Sequence, residues 1–227
     1  MLRQVSSFIG ILFLVIALIF IKQNNEKKMI HDWENPEIFQ INRLKSHAHF
    51  FPYESDNLAL INNPQKSKFY KNLNGDWKFK FSNNFHERPK EFYKPDFDIS
   101  DWDIIKVPGH WELQGWSVPI YLDEEYPFPV NPPYVDSDKN EVGSYRTNFQ
   151  CPSSWKGRDV FIKFGSVRSA FYLWINGQKV GYSQGSKTPA EFDITEYVKK
   201  GNNSVSVEVY RFSDGSYLEG QDTWRLS

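Results

Sequence analysis

One cysteine, Cys151, stands in 227 residues, so no internal disulfide can form. A chain of this length buries enough apolar surface to hold one core without a disulfide or metal staple. An excess of one charge is lacking too: 27 basic residues stand against 28 acidic ones, scattered along the chain, for a formal net charge of -1. Nucleic-acid recognition needs a clustered basic surface to neutralise phosphates, so no nucleic-acid partner is expected. There is no Gly-rich phosphate loop, no cysteine pair at zinc spacing, no His-Glu-x-x-His and no nucleophile elbow, which removes support for the enzyme classes those motifs mark. His31, His47, His49, His86 and His110 fall at no ligand spacing and read as surface or packing histidines. No internal repeat and no low-complexity tract is present, and no long segment shows helical periodicity.

What the chain does have begins at its amino terminus. Arg3 precedes an unbroken apolar run from Phe8 to Ile21, followed by Lys22, Glu26, Lys27 and Lys28. The run is short for a comfortable membrane span of about 20 residues and suits an export signal or a short uncleaved anchor. Export to the periplasm or exterior, or anchoring through residues 8–21, is therefore the expected localisation. Residues 1–30 are read as leader and polar linker, 31–72 as an extended arm and 73–227 as the folded domain.

Aromatic residues make up 17% of the chain, an excess that marks recognition surfaces or β-rich cores. Asn74-Gly75 precedes an alternation of aromatic and polar residues from Trp77 to Phe81 that reads as a half-buried strand. Val160, Ile162 and Phe164 alternate likewise. The apolar run Ala170–Ile175 ends at Asn176-Gly177, a strong hairpin signal, with its return strand over Gln178–Tyr182. Val205, Val207 and Val209 alternate with Ser206, Glu208 and Tyr210. Short strands separated by loops bearing Pro and Gly predict an all-β antiparallel sandwich or barrel. The exception is the irregular stretch from Pro108 to Gly143, with six prolines; a loop that long is usually functional or docked.

Carboxylates gather beside aromatics at two places. Asp123, Glu124 and Glu125 neighbour Tyr121 and Tyr126, and Asp214, Glu219 and Asp222 neighbour Tyr217 and Trp224. A sugar stacks its apolar face on a ring and donates its hydroxyls to carboxylates, so these residue types suit a carbohydrate ligand. Acids on solvated loops are the plainer explanation of the same pattern.

The segments Asp32-Trp33-Glu34-Asn35-Pro36, Asn42-Arg43-Leu44 and Leu73-Asn74-Gly75-x-Trp77-x-Phe79 resemble the opening of the β-galactosidases of glycoside hydrolase family 2. Pro119-Ile120-Tyr121, Tyr126-Pro127, Val130-Asn131-Pro132-Pro133, Glu191-Phe192-Asp193 and the stretch from Ser213 to Arg225 continue the resemblance in order. It implies a jelly-roll β-sandwich, the amino-terminal sugar-binding domain of an enzyme whose (β/α)8 barrel carries two catalytic glutamates of a retaining mechanism. No residue of this chain is expected to be catalytic, and the 227 residues alone are expected to be inactive and to stop short of the complete domain. By resemblance, Asp222 binds a sodium ion and the galactosyl 6-hydroxyl, work suited to a hard oxygen donor that also accepts hydrogen bonds. Asp123 stands where the family carries a sugar-contacting asparagine; as a carboxylate it can accept from the ligand but no longer donate.

The resemblance further implies sodium and magnesium ions, a β-galactoside substrate and a homotetramer for the complete enzyme. Trp33 and its neighbours resemble the arm that helps assemble that tetramer, so a packing role at a subunit contact is expected of Trp33. Trp224 and Tyr217 are expected to pack rather than to stack on sugar. A free-standing carbohydrate-binding module and another family 2 activity, such as β-glucuronidase or β-mannosidase, are the competing readings.

Overall fold

Asn176 and Gly177 adopt φ of +50° and +84°, the left-handed pair that a two-residue hairpin turn demands. They join two of nine strands seen among the described residues of a computed structural model, which describes residues 31–120 and 125–219. The apolar run from Phe8 to Ile21, Asp123, Asp222 and Trp224 lie outside the described residues. Everything below concerns the unit that starts at Asp32.

The strands are β1 (Gln40–Ile41), β2 (Gly75–Ser82), β3 (Asp103–Val107), β4 (Val142–Cys151), β5 (Phe161–Phe164), β6 (Ala170–Ile175), β7 (Gln178–Gln184), β8 (Ala190–Asp193) and β9 (Gly201–Tyr210). Seven form one antiparallel sheet in the order β1-β7-β6-β9-β4-β2-β3, and β5 pairs with β8 in a second. The long pairing of β4 with β9 runs from Val142 opposite Tyr210 to Cys151 opposite Gly201. Among the described residues, helical structure is confined to 3-10 turns and two short helices, α1 (Asp56–Ile61) and α2 (Ser216–Glu219). The mostly β, antiparallel architecture matches the expectation. Among the described residues no helix is long and apolar enough to cross a membrane.

Period-two geometry sends alternate side chains of a strand to opposite faces of its sheet. Phe171, Leu173 and Ile175 of β6, with Val205, Val207 and Val209 of β9, join Ile162, Ala190 and Phe192 of the small sheet in one core. Ala170, Tyr172 and Trp174, with Tyr210, face the other way into a second core with Trp33, Phe92, Trp102, Phe128 and Phe212. Ser206 and Glu208, the polar residues that alternate with the valines of β9, are nonetheless buried, at 1% and 6% exposed. The reason is that loop residues and Trp33 cover what would otherwise be the wet face. Trp33 itself is fully buried, stacked on Tyr210 with ring centroids 5.3 Å apart and tilted against Phe85 at 5.5 Å, so its packing partners lie within the chain.

A buried carboxylate must be hydrogen-bonded or neutral. Glu208 Oε1 accepts from Arg88 Nε at 3.3 Å and from the Tyr210 hydroxyl. Burial nevertheless pushes the Glu208 carboxyl above its ordinary range, against the opposing pull of Arg88. Arg88 in turn lies 3.7 Å above the Phe85 ring centroid, in a favourable cation–π position.

The segment from Gln40 to Leu44 straps the two sheets together. Gln40 and Ile41 pair with Ser183 and Tyr182 of β7, Arg43 bridges Phe192, and the Leu44 amide donates to the Glu191 carbonyl at 2.9 Å. Arg43 holds the crossing through Nη1 to Ser183 Oγ at 2.9 Å and to the Gln184 carbonyl at 3.0 Å. Gly181 permits the close approach, because a Cβ there would sit 2.3 Å from the Ile41 carbonyl oxygen and 2.7 Å from the Phe192 ring.

Gly181→Ala is therefore expected to cost about 1–3 kcal/mol through forced displacement of the strap. Gly165→Ala, whose Cβ meets nothing within 4 Å, should change stability by less than about 0.5 kcal/mol; urea unfolding compares the two. The raised Glu208 carboxyl gives a signed pH dependence. The folded state holds the proton more tightly than the unfolded state, so its contribution is present below the unfolded value and fades as pH rises through the raised folded one. Glu208→Gln removes that fade, and the stability of the variant relative to the wild type should rise with pH above the ordinary carboxylate range. A difference that stays flat from about pH 4 to pH 8 would contradict the assignment.

Candidate functional site

The described parts of the long stretch from Pro108 to Gly143 dock along the seven residues that follow β9. Arg211, 4% exposed, grips both ends of it. Its Nη2 donates to Glu112 Oε1 at 3.2 Å and to the Val118 carbonyl at 2.8 Å; its Nη1 donates to Ser117 Oγ at 2.7 Å and to Glu141 Oε2. Ser117 Oγ also donates to Glu141 Oε1 at 2.6 Å. Ser117 has φ of +62°, a conformation that costs a non-glycine residue free energy, and its bonds to Arg211 and Glu141 offset that cost. Charge-assisted bonds of this kind are the strong ones in a desolvated setting.

The next residue continues the docking. The Asn140 side chain donates to the Phe212 carbonyl and accepts from the Phe212 amide, both at 2.9 Å. An amide side chain thus plays the part of a neighbouring strand. Ser169 Oγ then meets Ser213 Oγ at 2.5 Å and Ser216 Oγ at 3.2 Å, which folds the chain into α2.

Of the carboxylates and aromatics singled out from the sequence, Asp214, Glu219, Tyr126 and Tyr217 gather around α2, while Tyr121, Asp123, Glu124, Asp222 and Trp224 lie outside the described residues. Asp214 accepts from Gln184 Nε2 at 2.6 Å and from the Gly215 amide at 2.9 Å, while its own amide donates to the Trp33 carbonyl at 2.8 Å. Partial burial pushes the Asp214 carboxyl up despite those bonds. Glu219 accepts from the Ser186 amide at 2.7 Å and from the Ser186 hydroxyl. Both acids brace the turn through these bonds, so the solvated-loop explanation does not describe them. Gln184 and Ser186 were not evident in the sequence; they lie at the end of β7 and just beyond it, with no local pattern that ties them to a turn some 30 residues later.

Tyr217 packs as expected, with its ring 5.2 Å from that of Tyr126 and 5.3 Å from that of Phe128. Its hydroxyl has a further role, accepting from the Asn131 amide at 2.9 Å and donating to the Tyr134 carbonyl at 2.6 Å. The Tyr126 hydroxyl returns the contact by donating to the Tyr217 carbonyl at 2.7 Å. The described part of the site is thus a hydroxyl-rich junction of loop and turn. Asp123 precedes Tyr126 by three positions and Asp222 follows Tyr217 by five.

Among the described residues no group of three His, Cys, Asp or Glu side chains could hold a metal ion. The histidines fill packing and surface roles: His47 faces Glu191 at 3.4 Å, His86 faces Asp138 at 3.2 Å, and His49 meets Lys163 at 2.9 Å.

The family model for the sugar binding domain of glycosyl hydrolases family 2 matches residues 70–227. A β-galactosidase of Priestia megaterium is 49% identical over 201 residues, covering 86% of this chain and 19% of that protein. A β-galactosidase of Clostridium acetobutylicum is 44% identical over 209 residues, covering 90% of this chain and 23% of that protein. The chain therefore spans about a fifth of the length of the curated relatives it matches. Among solved structures, a β-glucuronidase of an uncultured Clostridium aligns over 61% of this chain and 21% of its own at 24% identity, with a TM-score of 0.46.

Removing the Arg211 cation would strand Glu112 and Glu141 in a site the loop has closed. Arg211→Met is expected to cost about 3–5 kcal/mol, the range for breaking a buried ion pair from one side. Denaturant unfolding measures this, and a loss below about 1 kcal/mol would show that the cluster behaves as a surface pair.

Proposed function

The chain belongs to glycosyl hydrolase family 2, whose sugar-binding domain it carries, and on that premise we propose that it is the amino-terminal sugar-binding portion of a β-galactosidase. The observation that carries the reading is the 49% identity to a β-galactosidase across 86% of the chain. The sandwich is read as a jelly roll. Hydrolysis of terminal non-reducing β-D-galactosides with retention needs two closely spaced carboxylates, and these are assigned to the part of the enzyme that the 227 residues do not cover.

The contribution of this portion is recognition. Asp222 and Asp123 are the proposed galactoside contacts, each supplying an accepting carboxylate oxygen to a sugar hydroxyl. A sodium ion, if bound, would take the Asp222 carboxylate as a hard oxygen donor. No step of the proposal runs through the ion. Magnesium is assigned to the remainder of the enzyme. Tetramer formation, and export or anchoring through residues 8–21, complete the proposal.

The full-length product should hydrolyse a chromogenic β-galactoside and leave the matching β-glucuronide intact, while residues 1–227 alone hydrolyse neither. In the full-length enzyme Asp222→Asn should raise KM for the galactoside and weaken its dependence on sodium. A full-length product active on the glucuronide alone, or one that binds galactose without cleaving any glycoside, would replace this reading with one of its two competitors.

A further inference from the structure

We propose that Arg146 and Lys78 form a binding site for a small oxyanion, on the face of the large sheet where the connection from β2 to β3 lies over the strands. Strand register sets Lys78 of β2 directly opposite Arg146 of β4, and like charges so placed repel each other. Among the described residues neither cation is joined to a carboxylate. Lys78 Nζ donates instead to the carbonyls of Ser100 at 3.2 Å and Trp102 at 2.9 Å. Arg146, 6% exposed, donates through Nη1 to the carbonyls of Phe92, Lys94 and Phe97 at 3.2, 3.1 and 3.2 Å. Neutral backbone acceptors thus hold two neighbouring positive charges.

The Nε and Nη2 groups of Arg146 donate to no described residue. They form the edge of the guanidinium that takes two oxygens of one anion side by side. Burial lowers the Arg146 pKa, with the Asp96 charge pulling the other way, but a guanidinium keeps its proton in proteins. A cation withdrawn from water without a paired anion is costly, and an anion brought to it lowers that cost. Space for one is present. Arg146, Lys78, Thr147 and Asn148 line a pocket of about 150 Å³, walled by Ile99 and Ile104. At about 30 Å³ per water it holds about five waters, well below the roughly 300 Å³ at which pockets for drug-sized ligands begin. That size and the two cations suit an ion such as phosphate. Asp76 also borders the pocket, but its carboxylate is paired with Lys106. The Thr147 hydroxyl and the Asn148 amide are of the kind that donates to the remaining oxygens of such an ion. The site draws on no residue assigned to sugar binding.

The test titrates the full-length protein with inorganic phosphate by calorimetry, at constant ionic strength with chloride as the balancing anion. Binding should saturate at about one phosphate per chain in the millimolar range. Asn148 is exposed and lets the charge of the pocket be changed without touching either cation. Asn148→Asp should weaken phosphate binding by about tenfold or more, and Asn148→Lys should tighten it by about threefold. Lys78→Gln should weaken it about as much as Asn148→Asp. Phosphate should raise the Tm of the wild type more than that of Asn148→Asp, because a ligand stabilises the folded state only as far as it binds it. Absence of saturable phosphate binding over chloride would overturn the proposal, as would binding that Asn148→Asp and Lys78→Gln both leave unaltered.

Discussion

The Arg211 guanidinium is the constraint from which the arrangement of the site follows. Its four hydrogen bonds reach residues 112, 117, 118 and 141, so a single side chain at the end of the central β9 closes a loop of some 30 residues. Closing such a loop costs entropy that grows only slowly with its length, and the buried Glu112 carboxylate, the half-buried Glu141 carboxylate and a backbone carbonyl offset it. The geometry has no slack: a cation withdrawn from water requires its partners in place, and the partners require the cation. Asn140 on Phe212 and Tyr217 on Asn131 and Tyr134 then extend the docking one residue pair at a time. The segment from Arg211 to Glu219 acts as a rail along which the long loop lies.

That rail exists because β6, and β9 from Asn203 to Tyr210, are dry on both faces. A sheet with one wet face would let β9 end in solvent. Here the second core, built on Trp33, Phe92, Phe128 and Tyr210, draws the long loop and the segment around Trp33 down onto the strands. The same burial leaves Glu208 in a setting that favours its protonated form, and it makes the Trp33 carbonyl available to the Asp214 amide. Sugar recognition, on the proposed reading, is carried by loops, but the loops are fixed by core packing and buried hydrogen bonds rather than by their own sequence.

Much of the strand layout was legible. Alternation around Trp77, the Asn176-Gly177 turn and the valines of β9 each rest on short-range rules of period and turn geometry, and each lies where those rules put it. The burial of Ser206 and Glu208 was not legible, because alternation reports two faces without saying what covers the second. Asp214 and Glu219 were visible as acids near aromatics, yet their partners Gln184 and Ser186 come from β7 and the residues just after it, which no local pattern connects to the turn. The role of the Tyr217 hydroxyl was hidden for the same reason: its partners are backbone groups more than 80 residues away. Family membership, by contrast, was legible from many short segments in register, which survive where single contacts cannot be read.

Native-state hydrogen exchange on the full-length protein, followed at the Phe212 and Asn131 amides, tests the docking of the long loop most directly. The Phe212 amide, bonded to Asn140 Oδ1, should be protected to the level of the β4–β9 ladder, and the Asn131 amide, bonded to the Tyr217 hydroxyl, should also exchange more slowly than an unprotected amide. Exchange at both amides at unprotected rates would contradict the account.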